Sequence, residues 1–241
     1  MNTISLETSV GQLVAERPAR SRVFEHLGID YCCGGRRSLD KACAEKGLDT
    51  KTVLEELTAV DAEADDTAER DWTAASMTEL CDHIEAAHHD YVRQALPRLT
   101  DLIAKVNRAH GADDHRLVEL SEVFGVLRPD FEAHLAKEEL ILFPLCREMD
   151  NAETPPKFHS GSLGNPIKVM LAEHDDSGEA LSRIRQLTDD FAPPAGACNT
   201  YRAMLEALEA FEKNTHQHVH LENNILFVKA VAAENKLMAS A

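Results

Sequence analysis

Two stretches of this sequence set a histidine four residues before a glutamate: His134-Leu-Ala-Lys-Glu138 and His218-Val-His-Leu-Glu222. On a helix that spacing stacks an imidazole nitrogen and a carboxylate oxygen one turn apart on one face, where both can reach a metal ion. The stretches are also copies of each other. His134-Leu-Ala-Lys-Glu-Glu-Leu-Ile-Leu-Phe143 aligns without a gap on His218-Val-His-Leu-Glu-Asn-Asn-Ile-Leu-Phe227, and the same offset, within one residue, lays His89-Asp90 on His174-Asp175. The repeat singles out His89, His134, Glu138, His174, His218 and Glu222, and reads as two related helical hairpins.

Helical phase indicates where these six point. Val123, Leu127, Phe131, His134, Glu138, Ile141 and Leu145 alternate steps of four and three, the spacing of a buried seam. Met204, Leu208, Phe211, Thr215, His218, Glu222 and Ile225 do the same. His89 continues the seam of Val92, Leu96, Leu99, Ile103 and Val106, and His174 sits with Ile167, Leu171 and Leu181. Residue counts to the intervening turns, at ~1.5 Å of rise per residue, bring all six to one level. Six ionisable groups in one core layer cost several kcal/mol per unpaired carboxylate, and cations remove that cost.

Four imidazoles and two carboxylates are too many for one tetrahedral zinc and suit two metals bridged by the carboxylates. Zinc and manganese accept the same ligand types, so the residues alone leave the metal open. Glu85-Ala-Ala-His88 is the single match to the Glu-x-x-His pattern of ferritin-like sites and has no counterpart, so that layout is rejected. His216 and His220 fall on the opposite side of their helix. His83, His88, His110, His115 and His159 are expected at the surface, in loops or behind the ligands.

The elements that must hold this layer are four long helices, predicted near 76–108, 113–149, 164–190 and 198–233. Gly111, the stretch 151–166 and Ala192-Pro-Pro-Ala-Gly196 break them. With short connections they form an antiparallel four-helix bundle over residues 72–241. Ahead of it, residues 1–58 read as a small helical domain. Its helices are predicted from Pro18 to Leu27, from Ser38 to Lys46 and from an Asp49 cap through Leu57, with Gly28 and Gly47 as stops. Residues 59–71, rich in Asp and Glu and nearly free of large apolar groups, read as a solvated linker.

The small domain carries Asp30-Tyr-Cys-Cys-Gly-Gly-Arg-Arg37. Adjacent cysteines rarely close a disulfide. Beside two glycines and two arginines, Cys32 and Cys33 read as candidate low-pKa thiols for redox chemistry or iron transfer, or else as a buried structural pair. Cys43, Cys81, Cys146 and Cys198 are expected to pack as small apolar groups. The formal charge of -17 over 241 residues argues against nucleic-acid or anionic-membrane partners. The start, Met1-Asn-Thr-Ile-Ser-Leu-Glu-Thr8, has neither a basic region nor an apolar run, and no stretch is long and apolar enough for a membrane span, so the expected location is cytoplasmic.

The Tyr-Cys-Cys-Gly-Gly motif, Lys137-Glu-Glu-Leu-Ile-Leu-Phe-Pro144, Glu173-His-Asp-Asp176 and Leu221-Glu-Asn-Asn-Ile-Leu-Phe227 together resemble the Repair of Iron Centers family of the YtfE/ScdA type, over nearly the whole chain. The resemblance implies an all-α, hemerythrin-like bundle behind a small N-terminal domain. It implies two iron ions on the same six ligands, with carboxylate and oxo bridges. The implied function is repair of iron–sulfur clusters damaged by nitrosative or oxidative stress, through iron donation or nitric oxide chemistry. Partners would then be iron–sulfur proteins with damaged clusters, and nitric oxide or oxygen as small ligands, with a homodimer left open. The acidic stretch and the 151–166 loop look longer than the family pattern, and Val228 stands where proline often follows Phe. The alternatives are a hemerythrin-like protein that binds or senses oxygen or nitric oxide, and a metal-dependent adaptor. Hemerythrin-type sites are richer in histidine, which leans against the first.

Overall fold

The computed structural model describes residues 4–63 and 70–240, and all its regular elements are helical. From the N-terminus they are α1 (Val10–Glu16), α2 (Ser21–Leu27), α3 (Leu39–Lys46), α4 (Thr50–Glu63), α5 (Met77–His83) and α6 (Asp90–His110). Then come α7 (Arg116–Lys137), α8 (Phe143–Asp150), α9 (Gly164–Leu187), α10 (Asn199–Leu221) and α11 (Phe227–Ala239). Three π-helical turns join neighbours end to end: Ile84–His89 between α5 and α6, Glu138–Leu142 between α7 and α8, and Glu222–Leu226 between α10 and α11. The four long predicted helices are therefore present, three of them as α-helix running through a π turn.

The chain divides into two units. One comprises Asp82–Leu145 and Phe158–Thr215. Its core is shared by four helices: Val92, Leu96, Leu99 and Ile103 of α6 meet Leu120, Phe124, Leu127 and Phe131 of α7, Leu181 and Ile184 of α9, and Met204, Leu208 and Phe211 of α10. Each set repeats at steps of three and four, so each helix buries one stripe. This is the bundle the periodicity predicts, with one correction. Ile141, placed in the buried seam by its spacing, is 53% exposed, whereas Leu142 is buried. The π turn that begins at Glu138 adds a residue to the helical repeat, so the inward face passes from Ile141 to its neighbour.

The other unit comprises Met1–Cys81, Cys146–Lys157 and His216–Ala241. Val10, Leu13, Phe24, Tyr31, Leu39, Val53 and Leu57 form a core within it. Gly28 and Gly47 stop α2 and α3 in the left-handed conformation (φ 64° and 66°), as expected, and the Asp49 carboxylate caps α4 through the Thr52 N–H at 3.1 Å. Helix α1 was not among the expected helices. Its N-cap is Ser9, whose hydroxyl accepts from the Gln12 N–H. Helix α4 runs on into the stretch read as linker, where the Asp61 carboxylate accepts from buried Arg20 at 2.9 and 2.7 Å. An acidic residue there is thus part of the folded module. Residues 64–69 of the expected linker lie outside the described residues.

Candidate metal centre

Four of the six repeat-derived residues lie in the bundle unit, and all four are buried: His89, His134, Glu138 and His174. His89 closes the π turn ahead of α6, and Glu138 opens the one after α7. Both residues thus sit where the backbone departs from regular α-helix, a departure that re-aims side chains and recurs at functional sites.

The hydrogen bonds around these rings fix what they offer. The His134 Nδ1 lies 2.8 Å from a Glu173 carboxylate oxygen, and the His89 Nδ1 lies 2.7 Å from Glu139. A carboxylate accepts, so each Nδ1 carries a proton, and Nε2 is the ring atom left to face the interior. The His134 Nε2 points to Glu138 Oε1 at 3.0 Å and to the His174 Nε2 at 3.1 Å, while the His89 Nε2 stands 3.3 Å from Glu138 Oε2. One ligand atom from each of His134, Glu138 and His174 falls within 4.8 Å of the others. Imidazole nitrogens thus converge on a carboxylate with no exposed surface. Imidazole nitrogen with carboxylate oxygen is a donor set that suits divalent transition metals, and a cation among these atoms would offset the cost of burying the Glu138 charge.

Glu139 and Glu173 were not singled out in the sequence, although each is next to a candidate ligand in the chain. Burial raises the affinity of Glu139 for a proton, but its bonds to His89 and Arg93 outweigh that and hold the carboxyl below its usual range. The same balance holds for Glu173, between burial on one side and Lys137 and His134 on the other. Both therefore stay ionised and orient the histidines, as carboxylates commonly do behind metal ligands. Glu173→Ala is expected to weaken metal binding roughly 10–100-fold with the fold intact, read by competition with a chelator. Unchanged affinity would remove Glu173 from the site. An open cleft of about 720 Å³, lined by Glu122, Asp130, Lys137, Glu173 and Asp176, reaches His134 from outside.

The remaining two candidates lie in the other unit. His218 and Glu222 are fully buried, with the His218 Nε2 3.2 Å from Glu222 Oε1, and Glu222 opens the third π turn. His216 and His220, set aside as facing away, turn toward the N-terminal helices. The His216 Nδ1 lies 2.9 Å from Glu25, and the His220 ring centroid is 5.5 Å from that of Tyr31. Burial lowers the His220 pKa to about 4, so that ring is neutral.

Cys32 and Cys33 are free thiols with their sulfurs 4.0 Å apart, Cys32 buried and Cys33 half-buried. The Asp30 carboxylate accepts from the N–H groups of Cys32, Cys33 and Gly34 at 3.1, 3.0 and 2.8 Å, which winds the motif into a tight loop. The low-pKa reading does not hold for Cys32. Its hydrogen bond to Cys33, burial and the Asp30 charge push the thiol well above its ordinary value. Arg37, expected to favour thiolates, bonds Asp30 and Glu45 instead. Cys43, Cys81 and Cys146 are buried as expected. Cys198 is not: it is exposed, 3.7 Å from the His110 Nε2, which lowers its pKa.

Fold and site together define a helical-bundle metal-binding protein. Residues 82–230 match the hemerythrin HHE cation-binding domain, and residues 6–61 match a domain of unknown function named ScdA_N. The chain is 36% identical over 225 residues to the iron-sulfur cluster repair protein YtfE of Enterobacter sp. (strain 638), covering 93% of this chain and 97% of that one. The Citrobacter koseri protein of the same name is equally similar, and that of Escherichia coli O8 is 35% identical over the same length. This chain belongs to the Repair of Iron Centers family of the YtfE/ScdA type. Among the described residues, no helix is long and apolar enough to cross a membrane.

Proposed function

We propose that this protein repairs iron–sulfur clusters damaged by nitrosative or oxidative stress in the cytoplasm, and that it does so with two resident iron ions. His89, His134, Glu138, His174, His218 and Glu222 would hold them, with Glu138 and Glu222 as bridging carboxylates. The observation that carries this reading is the convergence of the His134, His174 and His89 Nε2 atoms on buried Glu138. Its support in sequence is the internal repeat, which pairs His134 and Glu138 with His218 and Glu222. A family match running from residue 82 to 230 contains all six.

When bound, the irons supply redox chemistry and open positions for nitric oxide or oxygen. The chain's own residues do the rest. Glu173 and Glu139 keep the Nδ1 protons of His134 and His89 in place, so both Nε2 atoms stay available. Lys137 and Arg93 hold those two carboxylates in turn. The cleft that His134 lines would bring small molecules as far as that ring.

The test is recovery of a cluster-dependent dehydratase inactivated by nitric oxide. The iron-loaded protein is expected to restore its activity, and protein stripped of iron is not. A protein that forms a stable oxygen adduct yet restores nothing would favour the oxygen-binding alternative.

A further inference from the structure

His216, His220 and Asn224 follow one another at steps of four on α10 and its π turn, and all three meet the N-terminal module. His216 bonds Glu25, whose same carboxylate oxygen accepts from the Tyr31 hydroxyl at 2.9 Å. Asn224 goes further, because it holds the backbone of the cysteine loop. Its side-chain amide donates to the Tyr31 carbonyl at 3.3 Å and the Cys32 carbonyl at 3.0 Å.

Two glycines record how close that approach is. A Cβ added at Gly35 would stand 2.4 Å from the Asn224 Oδ1, and one at Gly11 would stand 2.2 Å from it. Neither glycine has a positive φ, so neither needs to be glycine for its backbone conformation. What excludes a side chain is crowding, with Asn224 the nearest atom in each case. The two positions are joined as well, through the Gly11 N–H donating to the Gly35 carbonyl at 2.8 Å. Two separate parts of the chain, α1 at Gly11 and the loop from Tyr31 to Gly35, therefore leave a socket that the asparagine amide of a third fills.

We propose that Asn224 is the latch of the cysteine loop, a positioning residue that sets the exposure and reactivity of Cys32 and Cys33. The thiol pair is not a free arm. Its carbonyls are pinned to the same π turn that carries Glu222, two residues earlier, and while they are pinned Cys32 stays 6% exposed. Opening the latch frees the loop without cutting the chain or touching either thiol. The inference stands apart from the repair reading, because it concerns thiol exposure alone.

The test uses the full-length, iron-loaded protein. Rates of iodoacetamide alkylation are followed at each cysteine by mass spectrometry. Asn224→Asp is nearly isosteric but turns a carboxylate oxygen toward two carbonyl oxygens, so it repels where asparagine binds. Asn224→Ala removes the donors, and Gly35→Ala wedges the socket from the other side. All three are expected to speed alkylation of Cys32 at least about tenfold, while Cys43, buried in the N-terminal core, stays protected as proof that the module is folded. If Asn224→Asp also exposes Cys43, Asn224→Ala decides the matter by the same measure. Alkylation of Cys32 at the wild-type rate in a folded Asn224 variant would overturn the latch, whatever Gly35→Ala does.

Discussion

His134→Ala and His218→Ala are each expected to strip most of the metal from the protein and to lower its Tm by roughly 6–12 °C. Emptying a site that was filled well above its Kd removes about 3 kcal/mol of stabilisation, and a chain of this size shifts by ~2–4 °C per kcal/mol. The two variants probe different things. His134 sits where its Nδ1 bonds Glu173 and its Nε2 faces His174, both in the bundle unit. His218 lies in the other unit beside Glu222, so metal loss there tests whether the second repeat joins the same centre. His220→Ala is the control. That ring packs on Tyr31, and its loss is expected to leave metal content unchanged. Equal metal loss in all three variants would show that the histidines of α10 are assigned to the wrong faces.

The second large effect is expected from Cys32→Ser/Cys33→Ser. This variant should keep its iron and its absorption spectrum, because no bundle ligand is altered, yet repair of a damaged cluster should fall on the order of tenfold. A serine hydroxyl can neither bind iron as a thiolate does nor carry a nitrosyl group. Burial and the bond to Cys33 hold the Cys32 thiol above its ordinary pKa in the resting fold, and half-buried Cys33 is the more accessible of the two. The comparison belongs on the full-length chain. Tyr31 and Cys32 bond directly to Asn224, so removing the N-terminal residues would uncover that face of the helix and confuse loss of thiols with loss of packing. Full repair by the double variant would leave the cysteines structural, and loss of iron would make them ligands.

How much could be read in advance follows from how far each feature depends on distant contacts. The six candidate ligands stood out because an internal repeat and helical phase are properties of the chain itself. The same holds for Gly28, Gly47 and Asp49, whose roles are set within a few residues. Phase failed at Ile141, because a π turn leaves no mark on a seam only two residues from its end. The low-pKa expectation failed for Cys32 because adjacency to Arg36 and Arg37 says nothing of where a guanidinium finds its carboxylate. Arg37 found Asp30 and Glu45. Nothing near Asn224 in the sequence marks its role, since its partners Tyr31 and Cys32 are nearly two hundred residues away. Glu139 and Glu173 were nearer to hand. A carboxylate next in sequence to a metal-binding residue is a signal that could have marked both.

The central claim is that a layer of histidines around buried carboxylates holds two irons. It is tested most directly by elemental analysis of the purified protein from iron-replete cells, with EPR on partial reduction. Six ligands with bridging carboxylates predict about two irons per chain and a mixed-valent Fe(II)/Fe(III) signal. One tightly bound zinc per chain, with no iron and no such signal, would contradict it.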